Sequence, residues 1–254
     1  LREMAGERAT IIVAENEPQH VQLVRPHEQG GYGIDALWND DFHHSAMVAL
    51  TGQNEAYYTD YLGKPQEFIS AVKWGYLYQG QWYTWQKQPR GTPGLGLQPA
   101  TFITFLQNHD QVANSARGQR CHVFTSPGCY KALTAVMLLG PGTPMLWPGQ
   151  EFAASSPFFY FADHQQELAK LVSQGRVEFL SQFQGIATPE MQAYLPDPAD
   201  PETFERSKLD FSEREQHAEM YQLHRDLLQL RREDAVFRAQ RRGGVDGAVL
   251  GPEA

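Results

Sequence analysis

The chain has only two cysteines, Cys121 and Cys129, in 254 residues. That is too few for a disulfide scaffold, and it fits a reducing compartment, so a cytoplasmic location is expected. Long apolar runs are also missing. The longest, about Ala132 to Leu139, falls far short of the roughly 20 residues a membrane-spanning helix needs, which argues against a membrane partner. Basic charge is in deficit, with 21 Lys and Arg against 30 Asp and Glu and a net charge of -9. A chain of this sign repels nucleic acid and anionic lipid, so neither is expected as a partner. No Gly-rich phosphate turn and no internal repeat occurs. There is no initiator Met and no signal-peptide profile; Leu1-Arg2-Glu3-Met4 reads as the interior of a helix, so a piece of a longer protein is expected.

What remains is globular. Hydrophobic residues make up 41% and charged residues 20%, enough for a sizeable core. Aromatic residues reach 12%, a high share for so acidic a chain, and stacking against sugar rings is one use for them.

Short apolar runs alternate with helical patterns. Thr10–Ala14, Gly33–Trp38, Phe102–Leu106 and Thr143–Trp147 read as strands, the first as one buried on both faces. Between them, Asp41–Leu50 has acidic residues at its start and Gly52 beyond its end, and Pro65 opens a second helix with Phe68, Ile69, Val72 and Tyr76. Residues 77–100 have no period and read as a long excursion loop. Ser126, Pro127 and Gly140 punctuate a helix. Further on, Asp163 is expected to cap a helix that stops near Gln174. Ser212 with Glu215 reads as a capping box ahead of a helix with Met220, Leu223, Leu227 and Leu230 on one face.

Alternating strands and helices imply a parallel sheet. Polar or acidic residues follow every strand, which fits half of a (β/α)8 TIM barrel, whose active site lies at the carboxyl ends of the strands. The expected organisation is residues 1–188 as that half-barrel, 189–240 as a linker and closing helix, and 241–254 as the start of a further β domain.

Glu15 follows its strand directly. On a partly apolar rim its carboxyl holds a proton near neutral pH and suits a general acid, although a salt-bridged rim carboxylate would occupy the same place. Asp110 stands in the same relation to the third strand, within the dense polar group Gln107-Asn108-His109-Asp110-Gln111. A barrel would bring it onto one rim with Glu15. Asp40-Asp41-Phe42-His43-His44 contains metal-ligand residue types, but adjacent histidines on a helix point about 100° apart, so no metal site is expected there. Trp74, Tyr76, Tyr78, Trp82, Tyr83 and Trp85 crowd one region, as a packed lid or as a platform for sugar rings.

Phe105-Leu106-Gln107-Asn108-His109-Asp110-Gln111 resembles the fourth signature region of the α-amylase superfamily of glycoside hydrolases, and Ile12-Val13-Ala14-Glu15-Asn16 resembles the third. Within that superfamily, Ala36–His44, Leu50-Thr51-Gly52 with Tyr57-Tyr58, Gly149–Phe152 and Pro157–His164 resemble the malto-oligosyltrehalose trehalohydrolase family. The resemblance runs from about residue 10 to 240.

It implies the strand five to eight half of the barrel and a retaining glycosidase that releases trehalose from malto-oligosyltrehalose or acts on a related α-glucan, without metal or organic cofactor. Glu15 would be the acid/base and Asp110 the carboxylate that stabilises the transition state. His109, Asn108, Gln107, Gln111, Trp38, Asp40, Asp41, His43 and His44 would contact the sugar. The nucleophile would come from a strand preceding Leu1. Asn16-Glu17-Pro18-Gln19 departs from the superfamily's usual continuation after the acid. A glucan branching or debranching enzyme, or a non-catalytic carbohydrate-binding barrel, remain the alternatives.

Overall fold

The computed structural model describes residues 2–251. It is an α/β structure around a parallel sheet of four strands. In chain order, α1 (Arg2–Ala5) leads into β1 (Val13–Ala14), β2 (Ala36–Trp38), α2 (Asp40–Thr51) and α3 (Pro65–Trp74). A small antiparallel pair, β3 (Trp82–Tyr83) and β4 (Gln88–Pro89), follows, then β5 (Phe102–Thr104), α4 (His109–Ala113), α5 (Pro127–Leu139) and β6 (Thr143–Pro144). The rest is helical: α6 (Gln166–Leu180), α7 (Pro189–Gln192), α8 (Pro201–Ser207), α9 (Glu213–Gln216), α10 (Ala218–Glu233) and α11 (Ala235–Arg238).

Strand order follows chain order, β1-β2-β5-β6, with Val13 opposite Ala36, Leu37 opposite Phe102 and Ile103 opposite Thr143. Parallel neighbours need crossovers; α2 and α3 lie between β2 and β5, α4 and α5 between β5 and β6, and a loop with two short 3-10 turns joins β1 to β2. Alternation along the strands separates two faces. Leu37 and Phe102 pack with Val21 and Tyr76 on one, and Ala36, Ile103 and Phe105 pack with Trp38 and Met145 on the other. The main core lies in the helical layer, where Phe42, Ala46, Leu106, Tyr130 and Met137 meet Met220, Leu227 and Leu228 of α10.

Several local expectations need correction. The first strand is not buried on both faces: β1 is an edge strand, with Ile11 81% and Val13 41% exposed. The fourth, Thr143–Pro144, is shorter than its apolar run, although Met145 N still donates to the Thr104 carbonyl at 2.8 Å. Asp163 caps nothing; α6 starts after Gln165 and passes straight through Gly175, which sits in open space. Ser212 has helical backbone and makes no side-chain cap, so no capping box forms. On α10 the buried position is His224, and Leu230 faces out at 41%.

Other signals hold. Asn39 accepts from Phe42 N to cap α2, Gly52 ends it at φ 72°, and Ser126 caps α5 through Cys129 N. The linker region forms α7 and α8 with a loop between them. Residues 241–251 contain no strand, Asp246 pairs with Lys73 at 2.7 Å, and Pro252 to Ala254 lie outside the described residues.

The excursion loop is tied down where it returns. Gly91 has φ 73°, and a Cβ there would lie 2.0 Å from the Tyr78 carbonyl oxygen. Gly91→Ala combines left-handed strain with that collision, so it is expected to destabilise by about 2 kcal/mol or more. A thermal melt indistinguishable from the parent would refute the close approach.

Candidate active site

Parallel strands all end at one edge of the sheet, and Glu15, Asn39-Asp40, the 105–111 segment and Met145–Trp147 are all at that edge. Asn108 turns the chain there. Its Oδ1 accepts from the backbone N–H of Asp110 and Gln111, both at 3.0 Å, capping α4 so that the helix opens with His109 and Asp110. Carboxylate and imidazole atoms of Glu15, His109 and Asp110 then all lie within 4.8 Å of one another. The His109 and Asp110 side chains remain 43% and 46% exposed, so the cluster faces solvent.

Two indoles flank His109, Trp38 with ring centroids 5.9 Å away and Trp147 at 6.1 Å. Trp38 rests on Phe105 at 5.2 Å, and Trp147 on Phe158 at 4.9 Å. The Trp147 Nε1–H is buried without a protein partner, a free donor beside the cluster.

Partial burial raises the Glu15 carboxyl pKa; the positive charge of His109 works against this, and the negative charge of Asp110 adds to it. A carboxyl that holds its proton more tightly than a free side chain, beside an exposed carboxylate and an imidazole, can deliver that proton to an oxygen placed among them. Among the described residues these three are also the one group whose ligand atoms could share a cation.

The remaining expected site residues sit beneath this surface. Gln107 and Asn108 are each 1% exposed, and Gln107 Oε1 accepts from Cys121 N at 3.2 Å. Gln111 is half-buried, with its Oε1 unpartnered. Asp41 and His43 have no exposed surface, and His44 has 3%. His43 Nδ1 meets the Leu106 carbonyl at 2.8 Å. Burial lowers the pKa of His43 to about 4 and holds that of His44 well below the ordinary imidazole value, so both rings are neutral at pH 7. These groups brace the floor from which Glu15, His109, Asp110 and Trp38 project.

Asp40 is the exception in charge. It is 6% exposed, and burial lifts its carboxyl to about 7; Arg90 opposes the shift, while Asp41, Glu17 and Glu15 reinforce it. Folded Asp40 therefore keeps a proton over a window in which the unfolded chain has lost it, so its contribution to stability falls as pH rises through that window to about 7. Asp40→Asn does not titrate, and its melting temperature relative to the parent should rise between pH 5 and pH 8. A constant difference would contradict this.

No protein-family model matches the chain. It is 40% identical to malto-oligosyltrehalose trehalohydrolase from Deinococcus radiodurans, the alignment covering 85% of this chain and 37% of that protein. It is 36% identical to the Arthrobacter ramosus enzyme of the same name, over 97% of this chain and 43% of that protein. The chain is a homologue of the malto-oligosyltrehalose trehalohydrolases. It spans about two fifths of the length of these curated relatives. In structure it is similar to a candidate alpha amylase from Salmonella typhimurium, with TM-score 0.81 and 34% identity, over 98% of this chain and 43% of that one.

Against this trehalohydrolase background, two residues stand out that sequence reading passed over. Arg90, with no exposed surface, pairs with Glu17, which is 42% exposed and two residues after Glu15. Arg90 lay in a stretch without period, three residues after Lys87, and nothing in the sequence set it apart from that lysine. Of those aromatics, Tyr76 and Tyr83 are fully buried, while Trp74, Trp82 and Trp85 are 42%, 61% and 37% exposed. The region is thus partly core and partly exposed ring surface. No helix is long and apolar enough to cross a membrane among the described residues.

Proposed function

We propose that this chain is the strand five to eight half of a (β/α)8 barrel, and that the protein containing it cleaves the α-1,4 bond next to the terminal trehalose of malto-oligosyltrehalose. Residues 1–188 form the half-barrel, 189–240 the linker and closing helix, and 241–254 open a further domain. The observation that carries this reading is the Glu15–His109–Asp110 cluster at the carboxyl ends of β1 and β5. The trehalohydrolase relatives supply the substrate.

In this mechanism Glu15 gives its proton to the glycosidic oxygen as the bond to the sugar C1 breaks. A carboxylate from the preceding strand, in a protein of the relatives' length, bonds to C1 from the other side. Water then attacks C1, Glu15 takes its proton, and the carboxylate leaves with configuration retained. Asp110 and His109 hold sugar hydroxyls as the ring flattens and positive charge grows at C1. Trp38, Trp147 and the exposed tryptophans of the excursion offer flat apolar surface to the sugar C–H faces. Asp40, Asp41, Gln107, Asn108, Gln111, His43 and His44 fix these groups in place. Cys121 and Cys129 are both free, which supports a reducing, cytoplasmic setting.

Malto-oligosyltrehalose has no reducing end, so each cleavage creates the first one. Incubation with the full-length protein should therefore generate reducing sugar from a zero background. Saturable binding without new reducing ends would identify a non-catalytic carbohydrate-binding barrel instead.

A further inference from the structure

The Glu15 side chain makes no hydrogen bond among the described residues, and its position is set by backbone alone. The backbone after it, residues 16–21, forms no strand: Asn16 turns it, accepting from Gln19 N at 2.9 Å and from His20 N at 3.2 Å, and the returning excursion loop holds it from the other side. Gly91 N donates to the Pro18 carbonyl at 3.0 Å, and Val21 N donates to Thr92 Oγ1 at 2.9 Å. Gln86 Nε2 and Arg90 Nη1 both donate to the Glu17 carboxylate.

Arg90 is the largest side chain with no exposed surface. A guanidinium in that position is costly unless paired. Its Nε lies 3.3 Å from Asp41 Oδ1, and its Cζ lies 4.8 Å above the Tyr83 ring. Asp41 in turn accepts from Tyr61 Oη and from Tyr78 N, each at 2.7 Å. The Arg90 end of the arrangement is thus rigid. Glu17, 42% exposed, is the movable end, two residues from Glu15.

We propose that Arg90 and Glu17 form a latch that positions Glu15, so that both are positioning residues for proton transfer by the acid/base. This rests on the role of Glu15 given under Proposed function. Releasing the latch loosens Asn16 and Glu17, with the Pro18 carbonyl still held by Gly91 N, and lets the Glu15 carboxyl drift from His109 and Asp110. Small displacements of a proton donor cost rate rather than affinity.

Glu17→Gln tests this gently, since it leaves Arg90 paired with Asp41. In the full-length protein, kcat on malto-oligosyltrehalose should fall about tenfold or more with KM nearly unchanged, because alignment is lost without loss of binding. The basic limb of the kcat/KM profile should move to lower pH as Glu15 becomes better solvated. Combined with Glu15→Gln, the substitution should cause no further loss, because it acts through Glu15. Arg90→Lys, which cannot reach both carboxylates with a forked head, should follow the same pattern.

Unchanged kcat and pH profile in Glu17→Gln, with activity abolished in Glu15→Gln, would overturn the latch and leave the catalytic reading standing. A further loss in the double variant would also overturn it. Full activity in Glu15→Gln would instead remove the catalytic reading.

Discussion

Glu15→Gln should lower kcat on malto-oligosyltrehalose by about 10²–10⁴-fold, the range for losing a positioned general acid, while sugar affinity measured by calorimetry stays within a few-fold. Gln keeps the size and hydrogen-bonding reach of Glu but has no proton to transfer. The case is geometric first: Glu15 stands at the end of β1 with its carboxyl within 4.8 Å of His109 and Asp110. It is also electrostatic, because partial burial, which outweighs the opposing effect of His109, and the Asp110 charge favour the protonated carboxyl. Asp110→Asn differs in kind, since it removes a charge that strengthens its hold as the ring becomes cationic. Loss of binding in Glu15→Gln with turnover intact would reverse the assignment.

Arg90→Met should destabilise the fold by about 3–5 kcal/mol, the cost of breaking a buried ion pair from one side. Methionine fills part of the volume, so the penalty arises chiefly from carboxylates left behind. Asp41 has no exposed surface and would lose its charged partner, keeping only the Tyr61 hydroxyl and the Tyr78 amide. Asp40 lies 4.0 Å from Arg90 Nη2 and would lose the one charge that opposes its raised pKa. The loss should depend little on salt, since buried pairs are poorly screened. It should be smaller at pH 5, where Asp40 is protonated, than at pH 8. A midpoint shift worth less than about 1 kcal/mol would mean that the cluster relaxes or admits water, contrary to the full burial of Arg90 and Asp41.

How far the sequence could be read depended on whether a signal was local. Parallel alternation, the capped helices α2 and α5, and the strand ends carrying Glu15 and Asp110 were all legible, because caps and periods act over a few residues. Boundaries set by tertiary contact were not. Thr10–Ala14 has the composition of a buried strand, yet β1 lies at the sheet edge, and composition does not reveal where a neighbour is missing. Gly175 looked like a stop and lies inside α6, because an exposed glycine costs a helix only about 1 kcal/mol. Burial of Asp41, His43 and His44 was invisible for the same reason: polar residues after a strand suggested a wet surface, but Tyr78 and Arg90 of the excursion loop cover Asp41, and Tyr57, Tyr58 and Tyr61 pack against the two histidines. Arg90 was illegible altogether, since its partners are 49 and 73 residues away along the chain.

The most direct test is the identity of the products from malto-oligosyltrehalose cleaved by the full-length protein. The account predicts free trehalose in equimolar amount with a malto-oligosaccharide shorter by the two glucose units of the trehalose, and neither from Glu15→Gln. Maltose or glucose appearing while trehalose stays attached to the chain, or transfer to a new branch without trehalose release, would contradict it.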